Sequence, residues 1–254
     1  MFRPRVIPTL LLKDNGLVKT VKFEDPKYVG DPINAVKIFN DFEVDELVFL
    51  DIEETNENRT ISVELVKKIG EESFMPFAVG GGIKSIESIR DLLKSGAEKV
   101  VLNNVIFSSP ELITEASKVF GTQSIIASID VRLNEQKEYE VYKNCGKIST
   151  GISAIELAKK VEKLGAGEII INSIDKDGTF EGYDLELINI VSNAVSIPVI
   201  ALGGAGEMKD LKKAVVFGEA SAVAAGSMFI FVGSNKSVLI NYPDLEDLFE
   251  IFTC

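Results

Sequence analysis

The chain has 254 residues, 46% apolar and 26% charged, and 39 acidic side chains against 27 basic ones give a formal charge of −12. That length can bury a large core, and the acidity excludes a nucleic-acid backbone as partner, which would need a basic stripe. No histidine is present, so histidine triads and histidine metal sites are excluded, leaving carboxylates, lysines and backbone dipoles for any chemistry.

Strand-like runs recur along the chain at Arg5–Lys13, Glu46–Ile52, Pro76–Gly81, Lys99–Asn104, Ser124–Val131, Glu168–Ile174, Pro198–Gly203 and Ala222–Ser227. Amphipathic segments lie between them at Asp31–Phe42, Ser62–Ile69, Ser85–Leu93, Pro110–Phe120, Ser153–Leu164, Leu185–Val195 and Met208–Phe217, several opened by Ser or Pro and closed by Gly. Eight strand–helix units without a break in composition predict a single α/β domain, a (β/α)8 TIM barrel over residues 1–254 with its working loops at the strand C-termini. Paired landmarks half a chain apart predict an internal repeat with halves near 1–121 and 122–254. Two connections are longer than the rest. Asp14–Gly30, polar and bearing Lys19, Lys22 and Lys27, is expected as a mobile lid, and Asn134–Ile148 as a small hairpin around Tyr139–Tyr142.

No stretch is long and charge-free enough to span a bilayer, and the N-terminus has no signal-type apolar core, so a cytoplasmic, membrane-free protein is expected. Cys145 and Cys254 lack metal or redox spacing and read as free thiols, with no metal and no cofactor expected.

Strand parity sharpens the picture, because alternate residues face the barrel interior. Arg5, Ile7, Thr9 and Leu11 share one face, as do Glu46, Val48 and Leu50, Lys99, Val101 and Asn103, and Glu168, Ile170 and Asn172. Four strands thus begin with an inward charge, and the four sum to zero. Buried charges need partners, so a ring of Arg5, Glu46, Lys99 and Glu168 is expected to close the barrel bottom.

At the other end, two apolar runs finish in glycines. One is Phe77-Ala78-Val79-Gly80-Gly81-Gly82 and the other Val199-Ile200-Ala201-Leu202-Gly203-Gly204, each partnered one unit later by Asn103-Asn104 or Gly226-Ser227. Glycines let backbone N–H groups approach phosphate oxygens, so two anion sites across one mouth are expected for a phosphorylated small molecule. Asp130 ends a strand in the same mouth, and Asp177 lies near enough in sequence to the next strand end to serve as its acid/base partner. The position equivalent to Asp130 in the first half is Leu11.

These residues resemble the cyclase subunit of imidazole glycerol phosphate synthase along essentially the whole chain. The resemblance is carried by Asp45-Glu46-Leu47-Val48-Phe49-Leu50-Asp51-Ile52, Val79-Gly80-Gly81-Gly82-Ile83, Ser173-Ile174-Asp175-Lys176-Asp177-Gly178-Thr179 and Gly203-Gly204-Ala205-Gly206. It implies a synthase or lyase-type subunit with a glutaminase docked at the barrel bottom, forming a heterodimer, and ammonia passing through the barrel to a bisphosphorylated substrate. It also implies that the charged ring is an ammonia gate and that Lys19 is a lid lysine. Gly81, Gly82, Asn103, Asn104, Asn172, Gly178, Gly203, Gly204, Gly226 and Ser227 then fall around phosphate and substrate, and Asp130 is catalytic. Leu11 stands where the family carries a second catalytic aspartate, and Asn104 and Asn172 replace threonines. The opening Arg3–Lys13 with Gly16–Thr20 is similar to a paralogous branch tied to acetamidino sugars of surface glycans, whose ammonia goes to a separate ATP-using amidotransferase.

Overall fold

The computed structural model describes residues 3–53, 59–233 and 235–253. In chain order its first elements are β1 (Arg5–Lys13), β2 (Gly16–Val21), β3 (Glu24–Gly30), α1 (Pro32–Asp41), β4 (Leu47–Asp51), α2 (Val63–Glu72), β5 (Phe77–Gly80) and α3 (Ile86–Lys94). Then come β6 (Lys99–Leu102), α4 (Val105–Ser108), α5 (Glu111–Phe120), β7 (Ile125–Leu133), β8 (Tyr139–Lys143), β9 (Ile148–Ser153) and α6 (Ala154–Leu164). The chain continues through β10 (Glu168–Ser173), α7 (Leu185–Ser192), β11 (Val199–Leu202), α8 (Met208–Val216) and β12 (Ala222–Ala225) to α9 (Leu245–Thr253).

Helices begin where side-chain oxygens can take up their free N–H groups. Asp31 accepts from Asn34 ahead of Pro32, and Ser62, Ser85 and Ser153 accept from Leu65, Ser88 and Glu156. Strands β1, β4, β5, β6, β7, β10, β11 and β12 pair in parallel in that order, and β12 returns to β1 through Arg5↔Ala222 and Val6↔Val223. These eight strands therefore close into a barrel.

One strand face packs outward on the helices, and the other fills the lumen with Ile7, Val48, Ala78, Val101, Ile126, Ile170, Ile200, Ala222 and Ala224. The parity expected for β1, β4, β6 and β10 is the parity found.

Two expectations gain detail. Segment 14–30, expected as a lid, is built as a hairpin: β2 pairs with the extension of β1 (Leu11↔Val18, Lys13↔Gly16) and with β3. Its turns place Asp14 and Asn15 (φ 50° and 59°) and Lys22 and Phe23 (φ 54° and 67°) in the left-handed region, the geometry that two-residue hairpins favour. The second hairpin runs further than Asn134–Ile148, because β8 pairs with both β7 and β9 and β9 reaches Ser153. Each hairpin follows the first barrel strand of a run of four. Helix α9, which no sequence signal above anticipates, packs its Phe249 ring under the Arg3 guanidinium at 5.5 Å. Cys254 lies outside the described residues.

Candidate active site

The four strand-initial charges converge at the N-terminal end of the barrel. Lys99 Nζ lies 3.0 Å from Glu46 and 2.9 Å from Glu168, Arg5 lies 2.8 Å from Glu168, and the Arg5–Glu46 contact closes the circuit. Cations and anions alternate, so each charge touches two of opposite sign. Burial opposes the Arg5 charge, but hydrogen bonding and the fields of Glu168 and Glu46 outweigh it and raise the Arg5 pKa.

A cavity of about 680 Å³ opens at the opposite end, and every predicted residue of the upper site lines it. Asp130 is 8% exposed at the C-terminal part of β7. Its oxygens accept from Asn103 Nδ2 at 3.0 Å and Asn172 Nδ2 at 3.4 Å. Burial dominates over those hydrogen bonds and raises the Asp130 carboxyl to about 7, where a carboxyl can both give and take a proton at neutral pH. Lys19, on β2, turns inward and donates to the Thr9 carbonyl at 2.6 Å. Burial lowers it to about 8 against the pull of Asp177, so it remains largely a cation at pH 7. A Cβ at Gly226 would stand 2.5 Å from Lys19 Nζ, so the glycine makes room for the ammonium.

Asp177 is also raised by burial, but its Oδ2 accepts from Thr20 Oγ1 at 2.9 Å and from the Phe23 N–H at 3.4 Å. Gly178 permits close packing, since a Cβ there would lie 2.3 Å from the Thr20 carbonyl. The Asn104 side-chain Oδ1 likewise accepts from the Asn144 N–H at 2.8 Å. Asp177 and Asn104 therefore sit where the sequence predicts, yet both hold hairpins.

Residues 5–234 match the family described as histidine biosynthesis protein. A Clostridium botulinum protein named imidazole glycerol phosphate synthase subunit HisF is 45% identical over 247 residues, covering 97% of this chain and 98% of its own. This chain belongs to the HisF cyclase-subunit family. A HisF from Alkaliphilus metalliredigens is 44% identical over 229 residues, covering 90% and 91%. The protein provisionally designated imidazole glycerol phosphate synthase subunit hisF2 in Pseudomonas aeruginosa is 46% identical over 248 residues, covering 98% and 99%.

Within this HisF-family mouth, sequence reasoning passed over Thr9, Asp51 and Cys145, all of which line the cavity. Thr9 Oγ1 and Asn172 Oδ1 are buried without a hydrogen-bond partner among the described residues, as groups awaiting a ligand would be. Thr9 was already legible on the inward face of β1. Among the described residues no cluster of Cys, Asp and Glu could hold a metal ion, and no helix is long and apolar enough to cross a membrane.

The Asp130 environment sets a pH dependence. Its folded pKa lies above its ordinary value of 3.8, so the native state holds a proton that the unfolded chain has lost. Stability therefore falls as pH rises from about 4 to about 7, by roughly 4 kcal/mol in total. Asp130→Asn removes that penalty, though one amide then meets an amide of Asn103 or Asn172 and returns about 2 kcal/mol. Urea denaturation should show this variant about 2 kcal/mol more stable than wild type at pH 8, with the advantage gone by pH 4.

Proposed function

We propose that this chain is the ammonia-receiving barrel of a glutamine amidotransferase system, docked on a glutaminase through the strand N-terminal end. Its ammonia serves conversion of an acetamido to an acetamidino group on a surface-glycan sugar, completed by a separate ATP-using amidotransferase. The observation that carries this reading is the contrast between the two barrel ends. All four ring charges are paired below, while above, in the cavity that holds Asp130, position 11 is a leucine.

The barrel interior between the two ends supports it. Ile7, Val48, Ala78, Val101, Ile126, Ile170, Ala222 and Ala224 make an apolar lumen. Such an interior opposes entry of ammonium, whose desolvation is costly, far more than entry of neutral ammonia. Glutamine hydrolysed below releases ammonia, and passage through the ring leaves the proton behind. In the mouth, Lys19 with the glycine-lined rims would hold an anionic group, and Asp130, poised near neutrality, would exchange a proton with whatever binds beside it.

A second reading is favoured by the same Asp130 and by Lys19, which together could serve the cyclase reaction of histidine biosynthesis with Asp177 as partner. That reaction forms imidazole glycerol phosphate and an aminoimidazole carboxamide ribotide from a bisphosphorylated precursor and ammonia. Engagement of Asp177 with Thr20 and Phe23 weighs against it. Purified protein given ammonium and the bisphosphorylated precursor is expected to show no absorbance change from ring closure. Sustained turnover would return the chain to histidine biosynthesis.

A further inference from the structure

We infer that Asp177 and Asn104 are reciprocal positioning residues, each holding over the mouth the hairpin that belongs to the other run of four barrel strands. Asp177, after β10, grips the β2–β3 hairpin. Its carboxylate accepts from Thr20 and Phe23, and its backbone carbonyl accepts from the Lys22 N–H at 2.9 Å. Asn104, after β6, grips the β8–β9 turn through the Asn144 N–H at 2.8 Å, and Cys145 Sγ adds a contact to the Ile52 carbonyl at 3.4 Å. The grips run in opposite directions across the barrel.

The two turns also meet. A Cβ at Gly146 would stand 3.1 Å from Phe23 Cδ2 and 3.2 Å from Ile174 Cδ1, so the glycine lets the Phe23 ring lie close against the opposite turn. Phe23, Asn144, Cys145, Asn104 and Asp177 all line the one cavity. Loosening either hairpin therefore removes a wall that the other leans on, and the cover behaves as one unit with two anchors. This holds whichever reaction the mouth serves, so the proposed function can fail without it.

Hydrogen exchange of the intact protein, followed by mass spectrometry over residues 16–30 and 139–153, tests the coupling without a substrate. Asp177→Ala should speed exchange in 16–30 by about tenfold, the worth of one or two lost hydrogen bonds, and in 139–153 by about threefold. Asn104→Ala should give the mirror pattern. In a Phe23→Ala background the cross-effects should vanish while the direct ones remain. Asp177→Asn keeps an acceptor oxygen and should restore most of the protection, which a need for the carboxylate itself would not allow. Unchanged exchange across β10 confirms that the barrel is intact, and if Asp177→Ala disturbs it, Thr20→Val removes the same bond from the hairpin side. Hairpins that respond only to their own anchor overturn the coupling. Hairpins that respond to neither variant, or Asp177→Asn as loose as Asp177→Ala, overturn the positioning roles.

Discussion

Lys99→Met should lower stability by about 3 kcal/mol, because breaking a buried ion pair leaves a charge without its partner. Lys99 is the sole cation touching both Glu46 and Glu168 besides Arg5 among the described residues. The magnitude is set by exposure: Glu46 is 3% exposed in its side chain and Glu168 13%, whereas Arg5 is 31% exposed and can relax toward water. The loss therefore falls toward the lower part of the range of about 3–5 kcal/mol for fully buried pairs. In a chain of this size it corresponds to a fall of roughly 6–10 °C in Tm. Lys99→Met with Glu168→Gln leaves Arg5 and Glu46 as a balanced pair and should recover most of the loss. Calorimetry of the two single variants and the double separates this from simple loss of packing, since a packing loss would add in the double variant rather than cancel. Additive losses would mean that the ring carries no electrostatic coupling.

The ring was legible in the sequence because it depends on strand parity, a property each strand has by itself. Arg5, Glu46, Lys99 and Glu168 could be placed on one face and at one end without knowing which strands were neighbours. The lumen and most helix starts were legible for the same reason, the latter through capping residues such as Asp31 and Ser85. What lay hidden depends on pairs far apart in the chain. Asp177 reads as a strand-end carboxylate, and only the approach of Thr20, 157 residues earlier, turns it into an anchor. Asn104 reads as a ligand group until Asn144 reaches it. The β2–β3 hairpin was obscured because its lysines suggested a solvated loop, whereas Lys19 is 6% exposed with its ammonium against the Thr9 carbonyl. Helix α9 was obscured because a small two-stranded turn, Phe231–Val232 with Ser237–Val238, separates it from β12.

Leu11→Asp should bring turnover of the bisphosphorylated aminoimidazole precursor with ammonium to at least about a hundred times the wild-type level, the lower part of what one placed acid or base contributes. Leu11 lies beside Leu50 in the β1–β4 register and lines the same cavity as Asp130, so a carboxylate there would face the mouth. Replacing an apolar side chain beside Leu50 and Val18 costs about 1–3 kcal/mol, which a barrel of this size tolerates. Asp130 is already held by Asn103 and Asn172 with its carboxyl near 7, so the variant adds one group to an arranged site. The decisive comparison is Leu11→Asp alone against Leu11→Asp with Asp130→Asn. Activity gained in the first and lost in the second would mean that phosphate binding survives and that the position-11 carboxylate alone separates this mouth from a cyclase. Silence in both, with Leu11→Asp folded, would place the divergence deeper, in Asn104 and Asn172 or in the hairpins that cover the pocket.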